Sequence, residues 1–466
     1  MIKHFKKFEF RTALAGFTGD CRAGLQRPAA VFTDRPPRNA HARSWLSALA
    51  LPLLLLAGLP AQAANYSFQN NDFPLGCSGG NGKFTCVTLT LAAHDKIVIT
   101  SGTPTIITVA GALFTGAESQ ILVQGAGHLT LNVSGAVDLG VNSTVTANVV
   151  AEGVVTLADK VNFTGNITTT AAVINIGSNN IVIGHLNTQV AVINTGDGSS
   201  VTGDITTVTG AINTGAASTV TGKLTTTTGV ITTGATSTVT GNLTTNTGAI
   251  NTGASSTVIG NLETGTGAIT TGAESIVTGN VATVIGAIEI HGSVGGKINS
   301  TSSSKAGAVT VFTGGIIGGN IVTGAGAVTV GAGAGTLVKG SIVSHTGAIT
   351  VGASATTGGI ATTTGAITIG ADSTILGSAC AGEGALTVGA NSRVEGNVQT
   401  LNGGLTVGAN STVMGTATAI VGALSISASA SVGQVAKDSP QFKCPNASDP
   451  TPKRIKSREW RQIFMR

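Results

Sequence analysis

The chain has 466 residues, of which 67 are glycine, 10% are charged and 3% are aromatic. So little charge and so few aromatic side chains argue against a helical bundle and against a nucleic-acid binder with a basic stripe. The formal net charge of +5 belongs to the termini: residues 1–44 carry nine basic against three acidic side chains, residues 437–466 eight against three, and the remainder eight against fourteen.

Residues 1–44 read as a basic leader, or as a mis-assigned start ahead of an ordinary export signal. Residues 46–59 form an apolar run broken by Pro52 and followed by Ala61-Gln62-Ala63, a small-x-small pattern. Residues 45–63 are therefore expected to be a secretory signal peptide, cleaved before Ala64. As a membrane anchor the run falls short of the roughly 20 residues needed to span a bilayer. Export to the periplasm, outer surface or extracellular space is expected.

Residues 64–110 read as a short N-terminal cap. Cys77 and Cys86 lie nine apart in C-S-G-G-N-G-K-F-T-C. In an oxidising compartment this predicts a hairpin disulfide; a metal pair is the alternative, with only His94 nearby as a further ligand. Residues 87–91 and 96–100 are expected to be cap strands over the bare edge of the first coil. Cys21 leaves with the leader. Cys380 and Cys444 remain and can pair if the tail folds back over about three coils.

Residues 111–436 are a repeat. One glycine column runs Gly196, Gly215, Gly234, Gly253, Gly272; a second runs Gly203, Gly222, Gly241, Gly260, Gly279; a third runs Gly210, Gly229, Gly248, Gly267, Gly286. A period near 19 over about 17 coils predicts a stacked solenoid, a parallel β-helix, with an all-β fold. Three aliphatic columns recur, passing through Ile231, Val239 and Leu243. The β-branched and Thr-rich composition suits three short strands per coil. Parity places Ile231, Thr233, Ala235, Ser237 and Val239 on one side, and the glycines are expected at corners, where positive φ is free for them. Glu118, Asn142, Glu274, Asp372, Asn391 and Asn410 share one position, expected on an exposed turn.

Chemistry-bearing residues do not gather in this pattern. The column of Asp204 continues as Lys223, Asn242, Asn261 and Asn280, so no carboxylate pair stacks; His94, His128, His185, His291 and His345 share no column. The glycine run at 331–335 lacks the lysine and helix of a phosphate loop. No catalysis, cofactor or metal is expected. Asn194, Asn213, Thr232, Asn251 and Thr270 are expected to face outward beside the Ile column, with Thr206, Thr225 and Thr244 as another outward row. They read either as a solvated β surface or as a ladder that binds glycan, ice or another repetitive surface.

The final coil is diluted by Ser425, Ser427, Ser429 and Ser431, as in a weak capping coil. Residues 437–466 form a basic tail, expected to be disordered, whose Pro440, Pro445, Pro450 and Pro452 oppose strand pairing. Self-association is expected to be absent, or weak and through the C-terminal end.

The stretch N-Y-S-F…P-L-G-C-S-G-G-N-G-K-F-T-C-V-T-L-T-L, then T-I-I-T-V-A-G, then repeats of the G-A-I-T-T-G-A-x-S-x-V-x-G-N type, resembles the N-terminal region of MshQ-like MSHA-pilus biogenesis proteins. The coils also resemble those of bactofilins, a polymer-forming β-helical family. The resemblance spans most of residues 65–436 and implies an exported structural protein of a Gram-negative surface or pilus, with no catalytic residues to carry over. Three functions are thus expected in turn: a cell-surface scaffold or stalk tied to a pilus or adhesin, a self-polymerising filament, and a binding module using the Thr/Asn ladder.

Overall fold

A computed structural model of the chain describes residues 63–302, 307–436 and Cys444. The leader, nearly all of the signal segment and the tail apart from Cys444 lie outside the described residues.

The described chain is a three-sided parallel β-solenoid. One coil consists of Ile212–Thr214, Thr219–Thr221 and Leu224–Thr228, one strand for each of three faces. Each strand pairs in parallel with the same strand of the next coil: Ile212 with Ile231, Val220 with Val239, Leu224 with Leu243. In-register stacking follows from the repeat, because like columns must meet for the apolar side chains to be buried together. The first face contains 18 strands, from Leu89–Leu91 to Leu424–Ile426, and so counts 18 coils.

The stack begins one coil before Gly111. Leu89–Leu91, Lys96–Thr100 and Thr105–Val109 pair in parallel with Leu113–Thr115, Gln120–Gln124 and Leu129–Val133. These strands, read from sequence as part of a cap, are coil strands. Their step is 24 residues, as in Leu89 to Leu113. Two of the three strands are five residues long and the corner between them holds residues 101–104, so a 19-residue template passes over this coil.

The cap proper is residues 64–86. Asn65–Ser67 pairs with the Lys96–Thr100 strand. Cys77–Gly80 and Lys83–Cys86 form an antiparallel hairpin around Asn81 and Gly82, both at positive φ, the turn that suits the strand twist. Cys77 and Cys86 are directly opposite in that hairpin and are disulfide-bonded, with Cα atoms 4.0 Å apart. Phe68, Phe73 and Phe84 meet tilted or edge-on, centroids 5.0–5.6 Å apart, and close the end of the core.

Inside the rod the three aliphatic columns are buried; Ile231, Val239 and Leu243 are exposed by no more than 1%. Hydroxyls fill much of the remaining interior. The inward column Thr226, Thr245, Thr264 donates from Oγ1 to the carbonyls of Gly210, Gly229 and Gly248 at 3.1, 3.1 and 2.8 Å. Ser218, Ser237 and Ser256 donate to Gly215, Gly234 and Gly253 at 2.7 Å and close the corner between the first and second faces. Most of these buried hydroxyls are tolerated because they have an acceptor; Thr105, Thr195, Ser275 and Ser300 are exceptions among the described residues.

Two expectations need correction. Ala235, placed inward by parity, is exposed, while Ile231, Thr233, Ser237 and Val239 are buried. Thr236 adopts φ 55°, and the turn around that left-handed residue interrupts the alternation, which resumes with the same parity at Ser237. The same turn position is occupied at φ 55–59° by Glu118, Asn142, Glu274, Asp372, Asn391 and Asn410. Positive φ at this corner is thus carried mainly by non-glycine residues, whereas Gly203 and Gly241 of the second glycine column and Gly248, Gly267 and Gly286 of the third do adopt it at their own corners. Gly196 is needed for another reason: a Cβ there would lie 2.5 Å from the Gly177 carbonyl carbon. The first glycine column exists to let one coil's backbone sit against the next.

Candidate functional surface

The middle residue of every first-face strand points outward, and these residues form one continuous row from Thr90 to Ser425. Asn194, Asn213, Thr232, Asn251 and Thr270 lie in it in register and are half-exposed. Asn213 Nδ2 donates to Asn194 Oδ1, and Asn194 Nδ2 to Asn175 Oδ1, each at 2.9 Å. The amides therefore satisfy one another along the rod and stay in one rotamer.

The row continues as six threonines in register, Thr310, Thr329, Thr350, Thr368, Thr387 and Thr406. The five-residue ladder read from the strict repeat stopped short of these. Their signal is the recurring G-A-V-T-V, G-A-I-T-V and G-L-T-V, where Thr always follows the buried aliphatic.

On the third face Thr206, Thr225, Thr244 and Glu263 form an outward row. Beside Glu263, Gly265 leaves a shallow groove of ≈ 340 Å³ lined by Thr244, Ala282, Val284 and Asn299. Farther along, the outward positions Ala361, Cys380, Gln399 and Thr418 are all buried. Cys444 is disulfide-bonded to Cys380, Cα atoms 5.6 Å apart. Ala436 lies three coils beyond Cys380 on this face, so the bond holds Cys444 three coils back from Ala436.

The corner between the second and third faces holds a further ladder, in the column of Asp204. From Asn148 to Asn261, at every step but Lys223, whose ammonium cannot accept, the side chain accepts the backbone N–H of the equivalent residue one coil on. Asn148 accepts from Asn166, Asn166 from His185 and His185 Nδ1 from Asp204, each at 2.9 Å; Asp204 then accepts from Lys223 at 2.8 Å. Asn242 accepts from Asn261 at 2.9 Å, and Asn261 from Asn280 at 2.8 Å. These corner N–H groups lie outside the strand ladders, and a short side-chain acceptor satisfies them. The G-N dipeptide of the repeat was the available signal.

The histidines are dispersed. His94 meets Glu118 at 3.2 Å, His185 belongs to the corner ladder, and His291 stacks on Phe312 at 3.8 Å between centroids. Among the described residues no three of His, Cys, Asp and Glu converge as a metal site, and no helix is long and apolar enough to cross a membrane. In the cap, burial first and the charges of Asp95 and Asp72 second push the Tyr66 phenol above its ordinary value. Comparison of the chain with protein-family models, curated proteins and solved structures finds no match in any of the three.

Proposed function

We propose that the chain is a non-enzymatic structural rod, exported and displayed at the surface of a Gram-negative cell as a scaffold or stalk associated with a pilus or adhesin. The observation that carries this reading is where the polar side chains are used. Corner Asn and Asp and interior Ser and Thr bond from coil to coil along the rod, so they maintain its shape. At about 4.8 Å per step, 18 coils make a rod of about 85 Å. Export rests on the apolar run before Ala61-Gln62-Ala63, and the surface setting on the resemblance of residues 65–91 and the repeats to MshQ-like proteins.

The test has two parts. Intact mass should place the mature N-terminus at Ala64, and a membrane-impermeant label should modify the chain on intact cells. Electron microscopy should show discrete rods of finite length. An uncleaved cytoplasmic chain would overturn the export reading, and open-ended filaments would favour a bactofilin-like polymer instead.

The first-face row supports a second reading, a binding module for a glycan or another repetitive surface. The fixed amide chain at Asn175, Asn194 and Asn213 and the six in-register threonines present a regular hydrogen-bonding array. Glycan arrays and thermal-hysteresis assays test it, with Thr350→Lys expected to abolish any binding found.

A further inference from the structure

The two ends of the rod differ. At the N-terminal end three phenylalanines close the core, and an antiparallel hairpin occupies the edge of the third face. At the C-terminal end the inward positions of the last coil are Leu424, Ile426, Val432 and Val435. Their register partners one coil earlier, Leu405, Val407, Val413 and Ala417, are exposed by 1% or less. Leu424, Ile426 and Val432 are only half-buried, and Val435 is 57% exposed. Among the described residues, Leu424–Ile426 and Ser431–Ala436 pair along one edge only. Residues 422–436 contain no charged side chain and no proline, the usual protections of an open edge. Cys444, the one described residue beyond Ala436, is bonded to Cys380 three coils back.

We propose that this end docks a second copy of the chain, last coil against last coil, joining two rods head to head. The bare surface is half of the same interface that holds every coil to the next, so its complement is another open coil end. The N-terminal end of a copy matches it poorly: its phenylalanines close the core, and Asn65–Ser67 and the hairpin hold the second- and third-face edges, so that among the described residues only Leu89–Leu91 has an unpaired edge there. The full match is the same end, which makes the contact two-fold and closed at two chains rather than an open filament. A two-fold axis through Ser425 sets Leu424–Ile426 antiparallel to its copy, Leu424 opposite Ile426 and Ser425 opposite Ser425. The second face of one rod then continues into the third face of the other. The pairing extends the scaffold reading without depending on it: a chain that failed to pair would remain a single rod.

The experiment uses the full chain purified from an oxidising compartment. Light scattering should give the mass of two chains, and small-angle scattering a longest dimension about twice that of one rod. Directly opposed residues of an antiparallel pair have Cα atoms about 4.5–5.5 Å apart, within disulfide reach. Ser425→Cys should therefore cross-link two chains under mild oxidation, while Thr270→Cys, mid-rod on the same row, should not. Ile426→Asp should reduce the mass to one chain and leave the main melting transition in place. A one-chain mass at every concentration, a dimer indifferent to Ile426→Asp, or open-ended filaments would overturn the proposal. So would pairing that emerged only after removal of residues 445–466, which would make the chain's own tail the occupant.

Discussion

Ile231 is fully buried in the first-face core, and Thr232, the next residue, lies half-exposed on the opposite side of the strand between Asn213 and Asn251. Ile231→Asp would place an unpaired carboxylate between two coils, at a cost of about 3–5 kcal/mol. Thr232→Asp would put the same charge in water and cost less than about 0.5 kcal/mol. Thermal melts of the two variants check this; equal destabilisation would mean that the inward assignment of the Ile column is wrong.

Cys77 and Cys86 are tied across the cap hairpin. Opening this short loop by a Cys77→Ser, Cys86→Ser double substitution should destabilise the cap by about 2–3 kcal/mol on the chain-entropy estimate. Hydrogen exchange should then quicken in residues 64–86 and leave the middle coils unchanged. Uniform exchange along the rod would show that the cap is not a separate unit.

In the corner ladder, Asn261 Oδ1 accepts the Asn280 N–H at 2.8 Å. Asn261→Ala removes that acceptor from an exposed donor, which water can then satisfy, and should cost about 0.5–1 kcal/mol. Asn261→Asp keeps an oxygen at the same place and should cost less. Urea melts of the pair decide whether the acceptor, rather than side-chain size, holds the corner.

Tyr66 is the only tyrosine of the chain, so phenolate absorbance reports it alone. Its midpoint should lie above the ordinary value of about 10 in the folded protein and return to it on unfolding. The sign follows from linkage: a raised folded value favours folding below the unfolded value, and that contribution is lost as pH rises through the folded one. The cap should therefore loosen in strong alkali. A folded midpoint at or below the denatured one would contradict the placement of Tyr66 beside Asp95 and Asp72.

The period of 19, the alternation of Val220 with Thr219 and Thr221, and the glycine columns are local patterns, so the coil, its three strands and its inward aliphatic columns were legible in the sequence. The outward ladder from Asn194 to Thr270 was legible for the same reason. What one coil does to the next was not. The corner bonds from Asn148 to Lys223 join groups one coil apart in sequence, and the burial of Ala361, Cys380, Gln399 and Thr418 on an outward row is visible only in the folded stack. The need for Gly196 likewise appears only when a Cβ is placed against the coil before it. Even the contrast between a plugged N-terminal end and a bare C-terminal one required the stack, because an apolar side chain such as Val435 is core or surface according to whether another coil lies over it.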